Sequence, residues 1–279
     1  MLTHPLLDKL RHLRCQGMLE SLQEQLQQPD MHSLSFEDRL SLMIDREWWL
    51  RENNRIKHRL KNASLRQTAS MEDIDYDPSR GLSKAVMQTL SSCQWIREHQ
   101  NILLVGPTGT GKSFIASALG HKACLEGFTV RYVRCPRLFQ ELAIAKGDGR
   151  YLKLMQQISK SQVLILDDWG IGPMEEGHRR DLLEILDDRH QHASTIVTSQ
   201  LPLQHWYDFI GDPTLADAIL DRLIHIAHKL EIKGESMRKK KSKLNEVDPL
   251  CKSQEEEPEQ LQTRENSPPK NCRKESLPK

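Results

Sequence analysis

The 279-residue chain has no run approaching the roughly 20 consecutive apolar residues that a membrane-spanning helix needs, so no membrane association is expected. Its first residues, MLTHPLLDKLRHLRCQG, break their apolar positions with charge too often for a secretory signal. Close cysteine pairs are also missing. Cys15, Cys93, Cys124, Cys135, Cys251 and Cys272 are scattered, which suggests neither a zinc cluster nor a compact disulfide framework and points to a reducing, cytoplasmic setting. Nor is there a charge excess: the net charge is +1, so any nucleic-acid surface must be local. No segment before residue 100 carries a strand pattern.

What is present falls into four parts. Residues 4–28 read as one helix, with Leu7, Leu10, Leu13, Met18, Leu22 and Leu26 at helical steps, Gly17 as a weak point and Pro29 as a stop. Residues 35–62 read as a second helix, opened by Ser35 and Asp38 at capping-box spacing. Its apolar side comprises Phe36, Leu40, Met43, Ile44, Trp48 and Trp49, the tryptophans reading as core or interface anchors. Together these predict an all-helical N-terminal domain over 1–68. Residues 69–81, ASMEDIDYDPSRG, have the composition of a linker. Over 82–242, NILLV (101–105), TVRYV (129–133), QVLILD (162–167) and STIVTS (194–199) read as strands, with helices beginning near Gly111, Pro136, Arg150 and Glu175. Such alternation predicts an α/β domain, a parallel sheet with helices on both faces. Residues 243–279, crowded with charge, Pro, Ser and Gln, are expected to be a disordered tail.

The chemistry is concentrated after the first strand. Gly106, Pro107, Thr108, Gly109, Thr110, Gly111, Lys112 and Ser113 spell a complete P-loop (Walker A), between strand NILLV and the head of a helix. Such a loop wraps backbone amides around the β-phosphate of ATP, Lys112 reaches the β/γ oxygens, and Ser113 ligates magnesium. VLILDDWG (163–170) ends an apolar strand in two carboxylates. Asp167 is placed to hold magnesium, directly or through water, and Asp168 to polarise an attacking water. Adjacent carboxylates favour water as the phosphoryl acceptor, hence an ATPase rather than a small-molecule kinase.

The P-loop, LILDDWG, TIVTSQLP, AILDRL and LEIKGESMRKK together resemble the AAA+ ATPases of the IstB and DnaC branch. The N-terminal LRHLRCQGMLESLQEQL resembles the IstB-type transposition helpers specifically. The resemblance runs from about residue 5 to 242 and implies an AAA+ core with a small helical lid. It implies that Ser199 is the sensor-one residue near the γ-phosphate, with Thr198 and Gln200 as alternatives. It implies that Arg222 is an arginine finger offered to the neighbouring subunit, the alternative being an arginine paired along its helix with Asp217 or Asp221. Arg238 would be the sensor-two residue of the lid, or else part of a solvated basic run with Lys239, Lys240 and Lys241. A finger in trans makes a homo-oligomer part of the mechanism.

Residues 46–66 hold seven Lys or Arg against two Glu. Arg51, Arg55 and Arg59 recur by four on one helix face with Lys57 and Lys61 beside them, a stripe able to meet phosphates or simply a solvated face. The loop at 145–157 adds Lys146, Arg150 and Lys153. With no base-reading motif, contact with double-stranded DNA is expected to be mostly to backbone and shape. The expected function is an ATP-dependent helper that oligomerises on DNA and regulates or recruits a transposase. A DnaC-type helicase loader and a nucleotide-binding switch or scaffold with little turnover are the rival readings.

Overall fold

The computed structural model describes residues 5–237; Arg238, the lid expected around it and the tail at 243–279 lie outside the described residues. Where one N-terminal helix is predicted there are two, α1 (Pro5–His12) and α2 (Gln16–Gln27). The chain turns between them at Arg14, whose φ is +56°. Gly17 is a point of contact rather than a weakness: a Cβ there would lie 2.7 Å from the Glu47 Cα of α3 (Phe36–Ala63). The close approach lets the Glu47 carboxylate accept the Gly17 N–H at 2.7 Å and the Met18 N–H at 3.3 Å, capping the otherwise open start of α2. α3 begins where predicted, with Ser35 Oγ accepting the Asp38 N–H at 3.1 Å.

Leu10, Leu19 and Leu22 make a small core against which Met43 of α3 packs. Of the rest of the predicted apolar side of α3, Leu40 is half-buried and the other residues are not covered. Phe36 and Ile44 are exposed, and Trp48 and Trp49 are 58% and 60% exposed, so the expectation of a core role for the tryptophans is corrected: α2 contacts α3 on the Met43 and Glu47 side instead. The far end of α3 joins the larger core. Ala63, Ala69 and Ile74 are buried with residues of the sheet, so the segment after α3 packs closely as it leads to α4 (Lys84–Ser91) and α5 (Gln94–Arg97).

Five parallel strands follow: β1 (Asn101–Val105), β2 (Val130–Arg134), β3 (Val163–Trp169), β4 (Ser194–Ser199) and β5 (Ala227–Glu231). Their order is β2-β3-β4-β1-β5. Between strands lie α6 (Lys112–Leu125), α7 (Cys135–Gly147), α8 (Tyr151–Ser159), α9 (Glu176–Arg189), α10 (Trp206–Ile210) and α11 (Pro213–Ile224). β5 has no counterpart in the sequence reading, because this edge strand, AHKLE, buries only Leu230 and carries little apolar pattern. Alternation divides the interior strands between two cores. Ile102, Leu104, Ile165 and Ile196 pack toward α6, while Leu103, Leu164, Leu166 and Val197 meet α7, α9 and α11.

β4 lies between β1 and β3, which sets the site. The tips of these three strands stand side by side, with Ser199 in register with both Val105 and Trp169. Residues that follow β1 and residues that end β3, about 60 positions apart in the sequence, are thereby brought together at the carboxyl ends of the strands. Among the described residues no helix is long and apolar enough to cross a membrane.

Candidate nucleotide-binding site

The loop after β1 is held from three sides. Gly106 N–H donates to Ser199 O at 3.1 Å, Arg80 Nη2 donates to Thr110 O at 2.7 Å, and Met237 N–H donates to Gly109 O at 2.9 Å. Gly109 has φ +83°, and a Cβ there would fall 2.2 Å from Ser236 Oγ, so both its conformation and its neighbour require glycine. Pro107 and Thr110 close the turn through a 2.8 Å hydrogen bond from the Thr110 hydroxyl to the Pro107 carbonyl. Thr108 Oγ1 donates to Gln200 Oε1 at 2.5 Å, so Gln200 touches the loop. Gly111 is the N-cap of α6 and makes no side-chain cap bond. Lys112 is buried, its ammonium donating to Gly106 O at 2.6 Å and Pro107 O at 2.7 Å.

Ser113 Oγ donates to Asp167 Oδ1 at 2.8 Å, joining the P-loop helix to the tip of β3. Asp167 has no exposed surface; Oδ1 also meets Thr198 Oγ1, and Oδ2 accepts from Tyr132 Oη and from Arg66 Nη1 at 3.1 Å. Burial by itself would raise the Asp167 carboxyl, but the donors Thr198, Tyr132, Ser113 and Arg66 outweigh it and hold the group below the usual carboxylate range. The Tyr132 phenol shifts the other way, raised by burial and by the neighbouring Asp167 charge. Asp168 sits at a register shift in β3 with φ +62°, rare for a residue other than glycine. Its N–H donates to Thr198 Oγ1 at 3.2 Å, and its carboxylate accepts from Arg134 Nε at 2.7 Å.

The hydroxyl of Ser199 is directed elsewhere. It lies 3.0 Å from Trp169 O and 3.1 Å from Leu201 O and accepts the Leu201 N–H at 3.0 Å, whereas the adjacent Thr198 faces both aspartates. Arg222 lies at the opposite end of the strands from the P-loop: its carbonyl accepts from Asn101 Nδ2 at 2.9 Å, at the first residue of β1. Five strand residues, about 16 Å, separate that point from the loop. Its guanidinium binds Asp187 of α9 and donates to Ala218 O at 2.7 Å, so its carboxylate partner is neither Asp217 nor Asp221.

The basic residues divide by what they touch. Arg51 pairs with Glu47 at 2.5 Å, Arg55 and Arg59 with Glu52 at 3.3 and 2.8 Å, Lys146 with Asp181 at 2.6 Å, and Arg150 with Asp148. Arg59 also donates to Cys124 O at 2.9 Å, fastening α3 to α6. Lys57, Lys61 and Lys153 are exposed and make no ion pair among the described residues. Arg66, Arg80, Tyr132 and Arg134 were not singled out by the sequence reading. The polar residues of VRYVR, alternating in a strand beside the carboxylate strand, were the available signal for Tyr132 and Arg134; Arg66 is 101 positions from Asp167 and carries no local one.

Comparison with known proteins agrees with this geometry. An insertion sequence ATP-binding protein of Sinorhizobium fredii is 48% identical over 239 residues, 86% of this chain and 98% of that one. The ATP-binding protein of insertion sequence IS21 from Pseudomonas aeruginosa is 33% identical over 86% of this chain and 91% of its own. Among solved structures, DnaI superposes with a TM-score of 0.51 at 21% identity, covering 63% of this chain and 94% of that one. The replication initiator DnaA bound to AMPPCP and single-stranded DNA superposes at 0.52 and 16% identity, covering 67% and 58%. These neighbours share the P-loop AAA+ fold. The family model described as IstB-like ATP binding protein matches residues 8–245, and with its P-loop, paired aspartates and close relatives the chain belongs to that family.

Proposed function

We propose that this chain is an ATP-hydrolysing transposition helper that assembles on double-stranded DNA and recruits or regulates a transposase. The observation that carries the reading is the convergence of Lys112, Ser113, Asp167 and Asp168 at adjacent strand tips, in a chain whose relatives are ATP-binding proteins of insertion sequences. The loop suits a triphosphate: it turns through glycines into the N-terminus of α6, and Lys112 rests on two carbonyls that phosphate oxygens would replace. Magnesium is bound through few protein oxygens plus substrate phosphates, and Ser113 and Asp167, joined at 2.8 Å, would supply those oxygens here.

When bound, magnesium supplies positive charge that neutralises the β- and γ-phosphate oxygens. Lys112 moves its ammonium from the loop carbonyls to the same oxygens, and Asp168 accepts a hydrogen bond from the attacking water. Thr198, bonded to both aspartates, holds them and the water in line. Arg222, at the opposite end of the strands, serves the nucleotide of a neighbouring copy, which makes a homo-oligomer the active form. Lys57, Lys61 and Lys153 are the basic residues best supported for the DNA backbone, since no carboxylate among the described residues pairs with them. A cytoplasmic location accompanies this role. The test is Asp168→Asn measured with DNA present. ATP turnover is expected to fall at least about 100-fold with nucleotide binding retained, and unchanged turnover would sink the hydrolase reading.

A further inference from the structure

The aspartate pair is held partly from outside the ATPase core. Every oxygen of Asp167 is engaged: Oδ1 by Ser113 and Thr198, Oδ2 by Tyr132 and by Arg66 at 3.1 Å. The Arg66 Nη1 is also 3.9 Å from Asp168 Oδ2, so one guanidinium spans both carboxylates. A divalent cation that joins Ser113 at Asp167, directly or through water, must share this carboxylate with those donors. Ser113, Thr198 and Tyr132 are neutral hydroxyls that can turn toward a metal-bound water. Arg66 is a partly exposed cation, and two cations at one buried carboxylate repel. Of the four donors, Arg66 is the one that a metal ion disfavours.

Arg66 comes from the N-terminal side of the chain. It lies three residues beyond Ala63, the end of α3, past Ser64 with its left-handed φ of +51°. Arg59 fastens α3 to Cys124 O on the P-loop helix, and Leu65 lies over Gly120 of that helix. The 28 residues of α3 span about 42 Å, and its far half carries the α1–α2 pair and the exposed Trp48 and Trp49. We propose that Arg66 is a positioning residue of the nucleotide site, an alternative partner to magnesium at Asp167, whose displacement reports bound metal and nucleotide to α3. This rests on the reading that the site binds ATP with magnesium.

The test uses the full chain and a fluorescent ATP analogue, reading the magnesium concentration at half-maximal binding. Arg66→Ala is expected to lower that midpoint about two- to fivefold, the range of a partly exposed ion pair, and Arg66→Lys to bring it back toward wild type. Hydrogen exchange gives a second readout: in wild type, amides of the last turn of α3, residues 60–63, exchange faster once magnesium and nucleotide are added, and in Arg66→Ala they are fast throughout. An unchanged midpoint in Arg66→Ala overturns the proposal and leaves the ATPase reading standing, as does wild-type exchange at 60–63 that ignores the metal. Should Arg66→Ala fail to fold, the wild-type exchange measurement decides. Failure of the wild type to bind the analogue at any magnesium concentration overturns both.

Discussion

Thr198 and Ser199 are adjacent on β4, and a strand sends adjacent side chains to opposite faces. Thr198 therefore meets Asp167 and the Asp168 N–H, while Ser199 is used up by Trp169 and Leu201. Two substitutions separate these roles. Thr198→Val keeps the shape and removes the hydroxyl; it is expected to lower ATP turnover of the folded protein more than about tenfold and also to cost about 1–3 kcal/mol of stability, because the Asp168 N–H and Asp167 Oδ1 each lose a partner. Ser199→Ala leaves the buried Leu201 N–H and Trp169 carbonyl short of a partner, a loss of about 1–3 kcal/mol of stability read by thermal denaturation. If Ser199→Ala instead stops turnover at an unchanged melting temperature, the sensor role returns to Ser199.

At the scale of elements, α2 depends on α3 for its first turn. The Glu47 carboxyl is buried, which raises its pKa, but its bonds from Arg51 and from the Met18 and Gly17 amides outweigh burial and lower it below the ordinary value. A group lowered in the folded state contributes stability above its unfolded pKa, about 4.3 for Glu, and loses that contribution as pH falls through the lowered value. Amides at Gly17 and Met18 are therefore expected to lose hydrogen-exchange protection as pH drops below about 4.3, after correction for intrinsic rates. Glu47→Gln should show weak protection at every pH; a pH response that survives this change would assign it to another group. Gly17→Ala places a Cβ 2.7–2.8 Å from the Glu47 and Arg46 backbone and is expected to separate the two helices.

At the scale of the whole molecule, Arg222 and the P-loop lie at opposite ends of β1, so under the proposed finger role one copy would contribute one half to each of two different active sites. The expectation is complementation. Arg222→Ala and Lys112→Ala should each be inactive alone, and mixing them on DNA should restore turnover, because some junctions then unite an intact P-loop with an intact arginine. The Asp187 pair must open or be shared for the finger to work, and both arginine partners lie on the surface of α9 and α11 where a second copy can compete. Mixtures that stay inactive while still assembling on DNA would refute the cross-chain role.

The legible part of this protein is the part written within a few residues. The G-x-x-x-x-G-K-S loop, the apolar run ending in Asp167 and Asp168, four strands and the Ser35 cap all follow from chemistry between near neighbours, where backbone geometry leaves few alternatives. Family resemblance drew on the same local stretches. Long-range pairing was not written there. The break at Arg14, the use of Gly17, the Arg66 and Tyr132 contacts to Asp167, and the Arg222–Asp187 pair depend on which strand lies beside which and how α3 meets α6. Sequence dictated the chemical inventory and its local shapes, because those are set by periodicity, caps and glycine. Partners and orientation were set by packing, because an arginine can reach many carboxylates and the seating of α3 on α6 is what brings Arg66 within 3.1 Å of Asp167.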